Sequence, residues 1–310
     1  EKPFSSERLL LTIKRSIETS LFKIENKSLK QKNIDDYKFI GDSNTIIKVK
    51  QLIDKVAPTS SRVIIYGDSG TGKDLVAKEI HKNSKYSDGN FIIVNSALME
   101  PDGIEEELFG LEENSRIIKQ GFFEQANNGT LFIDEIGDMP IQTQSKILRV
   151  LTDSSFYRVG SNEPVNVNAR LLCSSTENLE KLVENGNFRM DLFHRLNVVS
   201  ITLPKLSDRT QDIDELIEYF SKIYSTNANS NTSDLRDYIK TNYMNYDWPG
   251  NVRELRNLIE RYCIIGGKIT ENKEQLDSGF NSKNVISMPL KNARRIFEKN
   301  YLESQIQRFN

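Results

Sequence analysis

The chain has 310 residues, of which 42 are Lys or Arg and 44 are Asp or Glu, so its formal net charge is −2. This length allows two domains with a good-sized core, and the balanced charge excludes a chain-wide attraction to nucleic acid or to a membrane. Cys173 and Cys263 are the only cysteines, too few for a disulfide framework. Because we find neither a signal-peptide pattern nor a membrane-length apolar run, we expect a cytoplasmic protein with no membrane partner.

Residues 5–33 carry apolar side chains at largely helical spacing among lysines and glutamates. This pattern predicts an amphipathic helix, which either pairs with a copy of itself or packs on its own domain. Too few heptads are present to decide between these alternatives.

From Tyr37 to about Ser207, short apolar runs alternate with helical patterns. The predicted strands are 63–66, 91–94, 131–133, 170–174 and 198–203. Strands that alternate with helices predict a parallel sheet, so we expect an α/β fold. Beyond Pro204 only helical patterns follow, at 212–224, 233–243 and 251–263, and they predict a small helical lid domain.

A phosphate-binding loop is predicted between the strand 63–66 and the helix that follows it. Its residues are Gly67, Asp68, Ser69, Gly70, Thr71, Gly72, Lys73 and Asp74. The glycines let backbone N–H groups surround phosphate oxygens, and Lys73 reaches the terminal phosphates. Asp74 replaces the hydroxyl residue that normally follows the lysine. The alternative, a merely tight strand-to-helix turn, is disfavoured by the Gly-Lys pair at this spacing.

Two carboxylates, Asp134 and Glu135, directly follow the apolar run 131–133. After a phosphate loop, such a pair is placed to bind a metal ion through Asp134 and to polarise an attacking water through Glu135. Asn95 ends the preceding strand and is either a polar restraint on Glu135 or an ordinary turn residue.

The remaining chemically notable side chains fit packing better than catalysis. We expect Trp248 and His194 to pack, and Cys173 to act as a small hydrophobe in a buried strand. With only His81 and His194 present, a histidine-based metal centre has no support.

Six motifs together resemble one known family. The matching stretches are GDSGTGKD at 67–74, FIIVNSA at 91–97, EELFG at 106–110, GTLFIDEIGDMP at 129–140, NFRMDLFHRLNVV at 187–199 and WPGNVREL at 248–255. They resemble the AAA+ domain of bacterial sigma-54-dependent regulators, the NtrC family, over roughly 39–266. In that family the residue after the loop lysine is characteristically acidic, which accounts for Asp74.

The resemblance implies ATP and Mg²⁺ as cofactors, with Asp134 at the magnesium ion. It also implies that Asn95 is a glutamate switch, and that Arg189 and Arg195 reach the neighbouring subunit's site in a homo-oligomer. Without the family pattern, these two arginines would be read as surface ion pairs of little energetic value. Arg253 matches the arginine that senses nucleotide state from the lid. The resemblance further implies nucleotide contacts at Ile40 and Gly41.

The family's sigma-54 contact loop is missing between Gly110 and Gly121, where only ten mainly polar residues stand. Contact with sigma-54 is therefore not expected. The NtrX-type response regulators, which also tend to lack this loop, resemble the chain closely. A second departure is Ser175-Thr176, which stands in place of the family's Thr-Asn pair and predicts slow hydrolysis.

The resemblance implies a three-part response regulator. We expect the end of a receiver domain at 1–4, a linker helix at 5–36, the AAA+ subdomain at 37–206 and the lid at 207–268. A linker at 269–288 and the first helix of a Fis-type helix-turn-helix at 289–310 would follow. The implied partners are a sensor histidine kinase, DNA and further copies of the chain, in a dimer or a hexameric-type ring. Two functions stay open: an ATPase that controls transcription, or a nucleotide-gated assembly scaffold with little hydrolysis.

Overall fold

The computed structural model describes residues 37–99, 103–224, 232–243 and 246–265. The receiver end, both linkers and the Fis-type helix predicted from the sequence lie outside these ranges. Within them, a parallel α/β subdomain is followed by a helical lid, which confirms the predicted fold class. None of the helices described has the length and apolar character needed to cross a bilayer.

The α/β subdomain is built on a parallel sheet. The strands in chain order are β1 (Val63–Tyr66), β2 (Phe91–Asn95), β3 (Gly110–Glu113), β4 (Arg116–Gln120), β5 (Thr130–Asp134), β6 (Ser155–Tyr157), β7 (Pro164–Asn166), β8 (Arg170–Ser175) and β9 (Val199–Thr202). Five of them form the sheet in the order β2-β5-β8-β1-β9, and all neighbours are parallel. The other four form two antiparallel pairs, β3 with β4 and β6 with β7.

Helices cover the sheet and form the lid. They are α1 (Asn44–Val56), α2 (Lys73–Lys82), α3 (Ile104–Phe109), α4 (Phe122–Gln125), α5 (Ile141–Asp153), α6 (Leu179–Glu184), α7 (Met190–Leu196), α8 (Ile213–Tyr224), α9 (Thr232–Asn242) and α10 (Asn251–Ile265). A 3₁₀ segment, Leu206–Asp212, leads from the sheet into α8. The three predicted lid helices are confirmed within two residues at each end.

Apolar clusters lie on both faces of the sheet. Along β1, Ile64 packs in the cluster that holds Leu131 and Ile133, whereas Ile65 packs in the cluster that holds Phe132 and Leu172. Successive side chains of a strand point to opposite faces, so burial on both faces requires continuous apolar runs. Those runs are what made the strands predictable from the sequence.

Two packing predictions are confirmed. Trp248 is only 1% exposed and stacks on Tyr243 in the lid core, with ring centroids 5.2 Å apart. Cys173 is buried in β8, and burial raises the pKa of its thiol. His194 differs from its prediction, because it lies exposed on α7 beside the ring of Phe193.

A tight hairpin occupies the stretch from Gly110 to Gly121. Strands β3 and β4 are joined by Asn114 and Ser115, whose φ values of 50° and 60° are those of a two-residue type I′ turn. At its base, Arg158 donates to Glu112 at 3.0 Å and to Glu124 at 2.8 Å. Because two residues suffice to join the strands, the stretch between Gly110 and Gly121 has no longer loop and forms a regular hairpin.

The carboxyl end of α1 depends on a buried arginine. The guanidinium of Arg170, which is 2% exposed, donates to the carbonyl oxygens of Ala57 at 2.8 Å, Val56 at 3.0 Å and Ser61 at 3.3 Å. The bond to Ala57 satisfies a carbonyl that the end of the helix leaves without a partner, whereas the carbonyl oxygen of Val56 also accepts from the N–H and the hydroxyl of Thr59.

Replacing Arg170 should therefore destabilise the fold. We expect Arg170→Met to lower the free energy of unfolding by about 2–3 kcal/mol, because it leaves buried carbonyl groups without a hydrogen-bond donor. Chemical denaturation monitored by circular dichroism measures the change. Arg149→Met is the matched control, since Arg149 is exposed in an ion pair with Asp153 and should matter by less than about 0.5 kcal/mol. Equal effects of the two substitutions would contradict the role of Arg170.

Candidate nucleotide-binding site

A cleft of about 440 Å³ opens between the carboxyl edge of the sheet and the lid. A volume in this range suits a drug-sized or nucleotide-sized ligand. Three groups of residues line it: Ser69, Gly70, Gly72, Lys73 and Asp74 from the loop, Asn95, Asp134 and Glu135 from strand ends, and Val252, Arg253 and Arg256 from the lid. Most of the predicted site residues thus come together in one place.

The loop from Gly67 to Asp74 connects β1 to α2 through glycines that adopt left-handed conformations. Gly70 has φ 79° and Gly72 has φ 101°, values that side chains disfavour. A Cβ on Gly70 would also lie 2.2 Å from the carbonyl oxygen of Gly250 in the lid. The loop geometry therefore needs glycine both for its turn and for close contact with the lid.

Lys73 lies at the centre of the polar end of the cleft. Its Nζ donates to the carbonyl oxygen of Gly67 at 2.8 Å, to Oε1 of Glu135 at 2.9 Å and to Oγ1 of Thr176 at 2.9 Å. The side chain of Lys73 is 8% exposed and that of Glu135 is 22% exposed. A mostly buried ammonium group thus lies beside a carboxylate at the base of the loop.

Glu135 is fixed from several directions. Its backbone is left-handed, with φ 54°, and its N–H donates to Oγ of Ser174 at 3.1 Å. Burial alone would raise the pKa of its carboxyl group, but hydrogen bonds from Thr176 and Lys73 outweigh burial and lower it. Glu135 is therefore held as a carboxylate, the form that a general base requires.

Asp134 ends β5 between two polar neighbours. Ser174 donates its hydroxyl to Oδ1 of Asp134, and Nδ2 of Asn95 donates to Oδ2 at 3.1 Å. Oδ1 of Asn95 accepts from the backbone N–H of Ala97 at 3.0 Å. Asn95 thus lies at the end of β2, as expected, but its side chain donates to Asp134, and Glu135 is held by Lys73 and Thr176 instead.

The donor set fits Mg²⁺ held together with phosphate. Mg²⁺ commonly binds through one or two carboxylates, water and substrate phosphates rather than through an all-protein cage. Asp134 and Asp74 supply carboxylates to the cleft, and no cluster of three or more His, Cys, Asp or Glu suited to a metal occurs in the described part of the chain. The arrangement matches a metal that arrives with a nucleotide.

The other end of the cleft is aromatic and was missed by the sequence reasoning. Tyr37 packs edge-on against Phe220, with centroids 5.8 Å apart, and its hydroxyl lies 2.8 Å from that of Tyr224. The guanidinium of Arg256 lies over the Tyr37 ring at 5.3 Å. Nε of Arg256 is buried and, among the residues described, has no hydrogen-bond partner. A flat, hydrogen-bonding ligand such as a nucleobase fits this end. The available signal was the position of Arg256, one helical turn after Arg253.

The lid contacts the loop through polar side chains. Nη1 of Arg253 donates to Oγ of Ser69 at 2.9 Å, and Nδ2 of Asn251 donates to the Ser69 carbonyl oxygen at 3.0 Å. Nη2 of the buried Arg209 donates to the carbonyl oxygen of Thr71 at 3.1 Å. Arg253 thus joins the lid to the loop, and its sensor role stays a prediction, whereas Asn251 and Arg209 were not singled out from the sequence.

Four predicted residues belong neither to the cleft lining nor to the phosphate loop. Ile40 packs against the lid core, and Gly41 lies against Asp212, whose Oδ2 is 2.8 Å from the position of an added Cβ. Arg189 pairs with Asp191 at 2.7 Å, and Nη2 of Arg195 donates to the carbonyl oxygen of Leu151 at 3.1 Å. The two arginines do not line this chain's own cleft.

Comparisons with known proteins agree with this geometry. The family described as sigma-54 interaction domain matches residues 39–202, and the AAA+ ATPase lid domain family matches 207–289. The nitrogen assimilation regulatory protein NtrX of Azorhizobium caulinodans is 38% identical over 324 residues, which span 100% of this chain and 71% of that protein. The transcriptional regulator NtrC of Proteus hauseri is 41% identical over 270 residues, covering 85% of this chain and 57% of that protein.

A solved structure is similar along the whole chain. The crystal structure of NtrX from Brucella abortus in complex with ATP has a TM-score of 0.69 and 38% identity, and covers 100% of this chain and 71% of that one. The sequence match, the lid match and the structural match all identify the same kind of protein. The chain belongs to the sigma-54 interaction domain family, as an AAA+ and lid module of NtrX- and NtrC-type response regulators.

Proposed function

We propose that the cleft binds ATP with Mg²⁺ and hydrolyses the terminal phosphate, and that the chain uses this cycle to control transcription. The observation that carries the proposal is the meeting of Lys73, Asp134 and Glu135 at one end of a cleft whose other end is aromatic. The ATP complex of the similar Brucella abortus NtrX supports the identity of the nucleotide.

Each residue has a task that follows from its position. The loop and Lys73 bind the phosphate chain, and Asp134 and Asp74 face the place of the metal. Bound Mg²⁺ would neutralise charge on the β- and γ-phosphates. Glu135, held as a carboxylate, orients a water and accepts its proton. Arg256 and Tyr37 hold the base, and Arg253 links the lid to the loop through Ser69.

Hydrolysis in this proposal requires a second copy of the chain. Arg195 is exposed, Arg189 is partly exposed, and both lie outside their own cleft. An arginine supplied by a neighbouring subunit stabilises charge in the transition state of phosphoryl transfer. Assembly into a dimer or a ring would therefore switch turnover on, and residues 5–36 are our candidate for a dimerisation helix.

The regulatory setting is proposed from the named relatives. The relatives are named as a nitrogen assimilation regulatory protein, a putative response regulator and a DNA-binding transcriptional regulator. We therefore propose that a sensor kinase regulates this module through a receiver domain, and that the module acts on DNA through a helix-turn-helix domain. The β3–β4 hairpin turns at Asn114 and Ser115 without a longer connecting loop. Regulation without sigma-54 remodelling fits that geometry better than the usual family output.

A second candidate function is a nucleotide-gated assembly scaffold with little hydrolysis. The observation in its favour is Thr176, which replaces the family's asparagine and is bonded to both Lys73 and Glu135. In that case nucleotide binding alone would set oligomeric state and DNA occupancy.

Lys73→Met should abolish nucleotide binding. Removing the ammonium group takes away the charge that faces the phosphates, so we expect the dissociation constants for ADP and for a non-hydrolysable ATP analogue to rise by at least about 100-fold. Isothermal titration calorimetry measures both. Lys82→Met, at the exposed far end of the same helix, is the control and should bind normally. Unchanged binding by Lys73→Met would overturn the proposed site.

Arg256→Ala tests the base end of the cleft. Because Arg256 lies over Tyr37 and away from Lys73 in our assignment, its loss should weaken ADP and the ATP analogue equally, by about five- to tenfold. Arg261→Ala, exposed on the same helix, should change neither affinity. A loss confined to the triphosphate would show that Arg256 contacts phosphate.

ATP turnover measured against protein concentration separates the two candidate functions. We expect specific activity to rise with concentration, and Glu135→Gln to reduce it by at least about 100-fold. Arg195→Ala should reduce it by about 1000-fold, as for other arginine fingers. Arg149→Ala serves as the control. Tight binding with no turnover at any concentration would favour the scaffold.

Mixing the two inactive variants tests the sharing of the site. An Arg195→Ala subunit keeps Glu135, and a Glu135→Gln subunit keeps Arg195, so adjacent copies rebuild a complete site. Partial recovery of turnover on mixing is the expected result. No recovery, with assembly verified by light scattering, would contradict an arginine supplied in trans.

A further inference from the structure

Thr176 joins the two most important charged groups of the cleft. Its backbone N–H donates to Oε2 of Glu135 at 2.8 Å, and its Oγ1 lies 2.5 Å from Oε1 of the same carboxylate. Nζ of Lys73 lies 2.9 Å from the same hydroxyl oxygen. A hydroxyl has one proton and can also accept, so it donates to Glu135 while it accepts from Lys73. Thr176 therefore closes a three-membered network around Lys73 and Glu135.

This network occupies all the donors of Lys73. An ammonium group has three N–H donors, and those of Lys73 are directed to Gly67, Glu135 and Thr176. A further acceptor can bind Lys73 only if it replaces one of these. The Gly67 carbonyl is part of the loop itself, so the acceptors open to replacement are Glu135 and Thr176.

Asn95 does not take part in this network. Its amide nitrogen donates to Asp134, and its amide oxygen accepts from Ala97. The conformation of Glu135 instead depends on its bonds to Ser174 and Thr176, which hold a left-handed backbone that non-glycine residues adopt only when their surroundings impose it. The residue that fixes the carboxylate is therefore Thr176, directly after β8, and not Asn95 at the end of β2.

We propose that Thr176 is a positioning residue that holds Glu135 on Lys73 in the nucleotide-free protein, so that the third phosphate of ATP must displace Glu135 from Lys73. This inference rests on the proposed function, because it requires ATP in the cleft. Its consequence is that the last phosphate of a diphosphate replaces only the Thr176 hydroxyl on Lys73 and leaves Glu135 in place, whereas a triphosphate also takes the place of Glu135 and releases it toward water. Thr176 thereby performs the restraint on the glutamate that the family resemblance assigned to Asn95.

The decisive quantity is the affinity for a non-hydrolysable ATP analogue relative to ADP. Both ligands share the base, the sugar and two phosphates, so the ratio isolates the cost of displacing Glu135. Thr176 is exposed, so substitutions there leave the core unchanged. The experiment uses the 310-residue chain with AMP-PNP and ADP, each with Mg²⁺, in isothermal titration calorimetry.

Thr176→Val keeps the shape of the side chain but removes the hydroxyl. It should raise the ratio of the affinity for AMP-PNP to the affinity for ADP by about fivefold relative to the unchanged protein, the effect of one lost hydrogen bond. Thr176→Ser, which keeps the hydroxyl, should retain the ratio of the unchanged protein. Glu135→Ala should raise the ratio, and adding Thr176→Val to it should raise it no further, because the hydroxyl then has no carboxylate to hold.

Three results would overturn the inference. Thr176→Val could shift both affinities equally, could weaken AMP-PNP selectively because the hydroxyl contacts phosphate, or could leave the ratio unchanged while Asn95→Ala raises it. Failure of the unchanged protein to bind either nucleotide would instead remove the proposed function. The two kinds of failure are thus distinguishable in one set of titrations.

Discussion

Burial of the central sheet on both faces is the constraint from which the site follows. A parallel sheet whose strands all run one way presents all their carboxyl ends at one edge. That edge carries the loop after β1, Asp134 at the end of β5 with Glu135 directly after it, and Thr176 after β8. Residues separated by about a hundred positions thus become hydrogen-bonded neighbours, and the polar cluster needs no further element to assemble it.

The lid completes the site through backbone contact as much as through charge. Gly70 allows the loop to approach Gly250 so closely that any side chain would collide. Arg253, Asn251 and Arg209 then tie the lid and its leading segment to loop atoms. Arg253 and Asn251 belong to α10, so their bonds join α10 directly to the loop.

The chain has the family's phosphate-loop motif and acidic pair, but it differs from the family at the β3–β4 hairpin and at Thr176. The β3–β4 hairpin is anchored by Arg158 between two glutamates and ends in a two-residue turn. Thr176 reaches Glu135 from the strand end where the family has asparagine. Thr176 lies next to the phosphate loop, where it is bonded to Lys73. These two differences are the basis of our proposals that Thr176 controls the release of Glu135 and that regulation does not use a projecting contact loop.

The sequence by itself determined the strand positions, the phosphate loop and the acidic pair, because apolar runs, glycine spacing and carboxylate placement are local signals. The tertiary structure decided which side chains meet. Asn95 was predicted to restrain Glu135, yet it bonds Asp134 while Thr176 holds Glu135. Tyr37 and Arg256 are 219 positions apart in the chain, and they meet at the aromatic end of the cleft. Such pairs depend on how strands and lid pack, and no local pattern records that packing.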